Sequence, residues 1–178
     1  MIEACRQHDL PLFLEPLPAT LDQHTPLTLG EYREVVVENA RIFCAMGIDV
    51  LKTPFPVDVM RSKDESVWAD ALQDLAGTIT VPWALLSLGV RFDLFKRQAE
   101  LACEAGASGV IVGRAVWGEA VALHDTARTD FLAKTARDRM EELATLCEWT
   151  ARPWHDLVPK PDSAPGWYKL YDDGAPTT

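Results

Sequence analysis

Short apolar runs alternate with longer amphipathic stretches along this chain. Leu12-Phe13-Leu14-Glu15-Pro16 is a short apolar run that ends in a carboxylate. Ile48, Val50 and Leu51 form a second run, which carries Lys52 near its end and stops at Pro54 and Pro56. Trp83-Ala84-Leu85-Leu86-Ser87 is the third, and Gly109-Val110-Ile111-Val112, followed by Gly113-Arg114, is the fourth. Runs of this length between turn signals predict buried β-strands.

The stretches between them predict helices. Met1 to Asp9 reads as the last turns of one helix. After a polar, proline-bearing loop from Pro18 to Pro26, Thr28 and Glu31 make a capping box for a helix that runs to about Met46. Val35, Val36, Ile42 and Phe43 are expected on its inner face, and Gly47 to stop it. Asp58 to Asp64 is polar. Ser66–Ala76 reads as the next helix, closed by Gly77, and Phe92–Ala105 as another, closed by Gly106. Ala115–Leu123 predicts a short helix. Thr129 to about Ala151 predicts a long one with Phe131, Leu132, Leu143 and Leu146 at helical spacing. Four strand–helix pairs, with strand ends spaced to suit the roughly 30 residues of a βαβ unit, argue for a parallel α/β sheet. Residues 1–152 are read as one domain and 153–178, without periodicity, as a tail lying on the surface or partly disordered.

Composition narrows the partners. The 178 residues are 48% hydrophobic and 25% charged, enough for one core, and the net charge is -10. Nucleic acid and anionic membranes are poor partners for such a molecule. No apolar run approaches the ~20 residues of a membrane span, and the start lacks a signal-peptide core. Cys5, Cys44, Cys103 and Cys147 contain no CxxC pair, and three of them fall in helical segments. They read as buried thiols of a cytoplasmic protein, not as disulfides or metal ligands. The four histidines show no ligand spacing, so no metal is expected.

In parallel α/β folds reactive residues collect at the carboxyl ends of strands. Here those ends carry Glu15, Lys52, Ser87-x-Gly89 and Gly113-Arg114. A lysine leaving a strand into a water-poor interior loses the solvation its ammonium needs. A neutral amine attacks a carbonyl to form a Schiff base. Glu15 would move protons as a carbon–carbon bond breaks. Backbone N–H groups around Ser87, Gly89 and Gly113 would cradle a phosphate, with Arg114 adding a charged contact. Each residue also has a structural reading: a lysine snorkelling to solvent, a salt-bridged glutamate, a plain turn, an arginine paired with a surface acid. The iminium serves as electron sink, so no cofactor is called for. Lys63, Lys96, Lys134, Lys160 and Lys169 fall in helix, loop or tail contexts and are poor Schiff-base candidates. Trp117 either shapes the site or packs the end of the sheet.

LFLEP, GIDVLKTPFP, LLSLGV and GVIVGRAVW, in this order, resemble the class I tagatose 1,6-bisphosphate aldolase family, which has sulfofructose-phosphate aldolase relatives. The resemblance spans Leu10 to about Trp154. It implies a (β/α)8 TIM barrel of which this chain holds about four βα units, the C-terminal half. It also implies Schiff-base cleavage of a phosphorylated ketose, giving dihydroxyacetone phosphate and an aldehyde. Lys52 would then be the Schiff-base lysine, Glu15 the acid/base, and Ser87, Gly89, Gly113 and Arg114 the surroundings of the phosphate. One departure is SLGV where the family tends to SAGV: Leu88 would tighten that pocket or pack behind it. The other is length, because a barrel takes about 250 residues. A lone half leaves two sheet edges open, so a stable form is expected to need a second copy or an N-terminal half. The alternative function is a catalytically incomplete fragment that binds phosphate or pairs with another barrel half.

Overall fold

In the computed structural model, which describes residues 1–20, 25–158 and 165–166, four strands form one parallel sheet in the order β1-β2-β3-β4. β1 is Phe13–Leu14, β2 Val50–Thr53, β3 Trp83–Leu86 and β4 Gly109–Ile111. Helix α1 is Ile2–Gln7, α2 Leu29–Ala45, α3 Glu65–Thr78 and α4 Phe92–Glu104. After β4 come α5 (Arg114–Trp117), α6 (Asp125–Phe131) and α7 (Arg137–Thr150). Sequential parallel strands joined by helices are the construction of a partial (β/α) barrel. Lys160, Lys169 and most of the tail lie outside the described residues.

The register assigns two faces. Leu14, Leu51 and Trp83 lie in one lateral row, and Thr53, Leu85 and Val110 in another. These point to the helix layer, where Leu51 and Leu85 are fully buried among Val36, Ala40, Leu72, Leu75 and Phe95. The alternate residues, Phe13, Val50, Lys52, Ala84 and Ile111, share the opposite face. That face carries an apolar groove bordered by Trp154 and Val158, and Phe13 there is 58% exposed. Surface ion pairs cross-link the helices: Arg33 of α2 to Asp70 and Asp74 of α3, Arg97 of α4 to Glu65 of α3, and Lys96 of α4 to Glu142 of α7.

Several expected elements shift. β1 is shorter than Leu12–Pro16, because Pro16 has no N–H for a ladder. Leu12 still joins it, its carbonyl accepting from Val50 N–H and its N–H donating to the Asp49 carboxylate at 2.7 Å. On α2 the inner stripe is Val36, Ala40 and Cys44, spaced one turn apart, and Ile42 is 40% exposed. Gly77 lies inside α3, which runs on to Thr78, where the hydroxyl donates to the Leu75 carbonyl. The long final helix starts at Asp125 and contains a π turn over Leu132–Ala136. The wider turn rotates the apolar face, so Ala136 and Leu143 are buried while Leu132 is exposed. Arg139 anchors this region. Its guanidinium stacks on the Phe92 and Phe131 rings and bonds Glu119 and the Val116 carbonyl. All four cysteines lie in helices. Cys44 and Cys103 are buried, whereas Cys5 and Cys147 are partly exposed.

The capping box forms as expected: the Thr28 hydroxyl accepts from Glu31 N–H, and the Glu31 carboxylate accepts from Thr28 N–H at 2.8 Å. The Thr28 hydroxyl, then the Thr28 N–H, both donating to the Glu31 carboxylate, hold its carboxyl below the usual carboxylate range. Thr28→Ala removes the cap and is expected to lower stability by about 1 kcal/mol, read as a lower urea midpoint at unchanged slope. Gly47 ends α2 with φ +84, a conformation that the Cβ of any other residue would strain. Among the described residues, no helix is long and apolar enough to cross a membrane.

Candidate active site

The pairing of β1 with β2 dictates the central contact of the site. Phe13 lies beside Val50, so two residues further along each strand Glu15 lies beside Lys52 on the open face. Their side chains meet: Lys52 Nζ donates to Glu15 Oε2 at 2.6 Å across 37 residues of sequence. Thr53 and the Pro54-Phe55-Pro56 run behind them are buried, which fixes the end of β2.

Lys52 is not the desolvated amine that its strand context predicts. Its side chain is 24% exposed and its partner's 38%, so water reaches the contact. The reason is topological: among the described residues β2 has helices on one side only, and Lys52 faces the other.

Glu15, Lys52, Ser87, Gly113 and Arg114 line one cleft of about 350 Å³ at the carboxyl ends of the strands. Gly89 stands behind its wall, where an added Cβ would come within 3.4 Å of the Arg114 guanidinium carbon. All six expected residues are therefore brought together. Arg114 is exposed, and its side chain carries no hydrogen bond or ion pair among the described residues. Trp117 also lines the cleft, 42% exposed, with its ring beside Gly113. Lys63 and Lys96 are occupied elsewhere, by the Val59 carbonyl and by Glu142. Lys134 sits on a helix near Asp130.

The sequence reading missed the apolar lining, Leu17, Leu86, Ile111 and Val112. For Leu86 and Ile111 a signal existed, since they fall on the Lys52 face by strand alternation.

Leu88 lines the cleft rather than packing behind it, and it is 45% exposed. It heads a turn in which Val90 N–H donates to the Ser87 carbonyl at 3.1 Å. Both central residues have positive φ, +47 at Leu88 and +76 at Gly89. Glycine adopts this conformation freely, and leucine does so at a cost. Leu88→Asn, which tolerates the left-handed region, is expected to raise stability by about 1 kcal/mol. A lower urea midpoint in that variant would show that the leucine contributes packing that outweighs its strain.

A parallel sheet with alternating helices is a partial (β/α) barrel, and its lysine and glutamate meet at the carboxyl ends of adjacent strands, the end at which barrel enzymes carry their sites. The chain belongs to the DeoC/LacD aldolase family: the model described as "DeoC/LacD family aldolase" matches residues 1–119. It is similar to tagatose 1,6-diphosphate aldolase 2 of Streptococcus mutans, 30% identical over 176 residues, covering 86% of this chain and 53% of that protein. Tagatose 1,6-diphosphate aldolase of Lactococcus lactis subsp. lactis is 31% identical over 177 residues with the same coverage. The chain thus spans about half the length of the curated relatives it matches.

Proposed function

We propose that this chain carries the catalytic rim of a class I aldolase that cleaves a phosphorylated ketose, such as tagatose 1,6-bisphosphate, through a Schiff base on Lys52. The observation that carries the reading is the 2.6 Å contact between Lys52 and Glu15 inside the cleft that also holds Arg114. Glu15 accepts a proton from the ammonium, which frees the amine to attack the ketone carbon. Loss of water leaves an iminium. A base then takes the proton of the hydroxyl on the leaving carbon, and the carbon–carbon bond breaks with its electron pair drawn into the iminium. The aldehyde departs, the enamine is protonated, and hydrolysis releases dihydroxyacetone phosphate. Arg114 and the backbone amides beside Gly89 and Gly113 hold the phosphate. The relatives' names support the substrate class, and a guanidinium without a partner among the described residues supports an anionic group at that end of the cleft.

A second reading, of a fragment that pairs with another barrel half, is favoured by the open sheet face with its exposed Phe13. The two are compatible: a second copy or an N-terminal half would cover that face and complete the cleft. Light scattering is expected to show a complex. A monodisperse monomer that melts cooperatively counts against the covering partner.

The test of the Schiff base is borohydride reduction with dihydroxyacetone phosphate, read by intact and peptide mass spectrometry, with Lys52→Ala as control. An adduct at Lys52 that the control lacks supports the reading. An adduct at another lysine refutes it.

A further inference from the structure

Trp117 lines the cleft, yet the steps proposed for Lys52, Glu15 and Arg114 leave it without a task. It closes α5, whose four residues divide by helical spacing. Ala115 and Val116 are buried, whereas Arg114 and Trp117, three residues apart, share the exposed face toward the cleft. The element is pinned from behind. Arg139 of α7 donates to the Val116 carbonyl at 2.9 Å and pairs with Glu119 at 2.8 Å, which fixes the direction in which α5 presents its open face.

The two open side chains border neighbouring strand ends. A Cβ built on Gly89, in the turn after β3, would stand 3.4 Å from Arg114 Cζ and 3.5 Å from its Nε. One built on Gly113, after β4, would stand 3.6 Å from both Nε1 and Cζ2 of Trp117. The nitrogen-bearing edge of the indole thus borders Gly113 as the guanidinium borders Gly89. Among the described residues, neither Trp117 Nε1 nor the Arg114 side chain has a hydrogen-bond partner. Both groups donate and neither accepts, so they cannot satisfy each other and call for one shared acceptor. The nearby carboxylates are engaged: Glu15 by Lys52 and Glu119 by Arg139.

We propose that Trp117 is a binding residue for the substrate's phosphate, its indole N–H donating to one phosphate oxygen while the Arg114 guanidinium takes the other two. The assignment rests on the aldolase reading for its ligand and adds a selectivity to it. A phosphate monoester offers three terminal oxygens and a carboxylate only two. A guanidinium fork is filled by two oxygens, and the indole N–H then selects the anion that has a third.

The test is isothermal titration calorimetry of the full chain with glycerol 3-phosphate and with glycerate, for wild type and Trp117→Phe. Neither probe has a ketone, so neither result depends on a Schiff base. Phenylalanine keeps an aromatic ring and removes the N–H. Wild type is expected to bind glycerol 3-phosphate about tenfold tighter than glycerate, or more. Trp117→Phe is expected to weaken glycerol 3-phosphate about tenfold, the scale of a hydrogen bond to a charged group, and to change glycerate by less than about twofold. Unchanged phosphate binding in the variant overturns the proposal, as does an equal loss for both probes. So does a wild type that does not bind glycerol 3-phosphate. A second readout needs no variant: the Trp117 indole N–H resonance of the wild-type chain is expected to move downfield as glycerol 3-phosphate is added. A Trp117 signal that stays in place overturns the proposal. The expected phosphate pattern, found together with a borohydride adduct on a lysine other than Lys52, supports the role of Trp117 and overturns the Schiff-base reading of Lys52.

Discussion

On the proposed Schiff-base mechanism, replacing Lys52 with methionine is expected to abolish cleavage of a phosphorylated ketose, a loss on the order of 10⁴-fold or more, the scale on which removal of a covalent nucleophile is felt. The substitution keeps an unbranched side chain of similar length and removes only the amine. Fold should survive it. Lys52 lies on the open face and not in the helix-facing core, and its ion pair with Glu15 is partly exposed. Such pairs contribute about 0–1 kcal/mol, so the urea midpoint is expected to move little while turnover disappears. A coupled assay for the triose phosphate product, run beside circular dichroism, separates the two effects. Turnover that persists in Lys52→Met would remove the Schiff base from the mechanism.

Glu15→Gln is the second large effect. The amide keeps the size of the carboxylate and an oxygen that accepts from Lys52 Nζ, but it cannot take up a proton. Loss of a positioned acid/base typically costs 10²–10⁴-fold, and a loss in that range is expected here. The variant should retain the proposed anion contact, because Arg114 is carried by the rim after β4 and makes no bond to Glu15. The signature is therefore a fall in kcat with KM little changed. A variant that turns over at the wild-type rate would reduce Glu15 to a group that merely holds the lysine.

These two residues also show how far the sequence could be read. Alternation of apolar runs with capped amphipathic stretches locates all four strands and the main helices, because strand and helix burial impose different periods on the chain. The capping box at Thr28 and the stop at Gly47 were legible for the same reason: both are local chemistry. The errors fall where a neighbour decides. Ile42 and Leu132 have the right spacing for burial, but the partner helix and the π turn put them in solvent. Gly77 looks like a stop and is not one, since helix-end chemistry one residue later serves instead.

The candidate site follows the same division. That Glu15, Lys52, Ser87 and Gly113 stand at or just after strand ends could be stated from residue order alone, because parallel strands put all their carboxyl ends on one side. That Glu15 touches Lys52 depends on register: a slip of one residue would send the two side chains to opposite faces. The exposure of Lys52, and the absence of a side-chain partner for Arg114 among the described residues, are likewise tertiary facts. The sequence by itself determined at which end of the sheet the candidate residues stand, because local periodicity and chain direction are written in it. Only the tertiary structure decided which of them meet, and which stay in water, because those depend on strand register and on helices covering one face of the sheet.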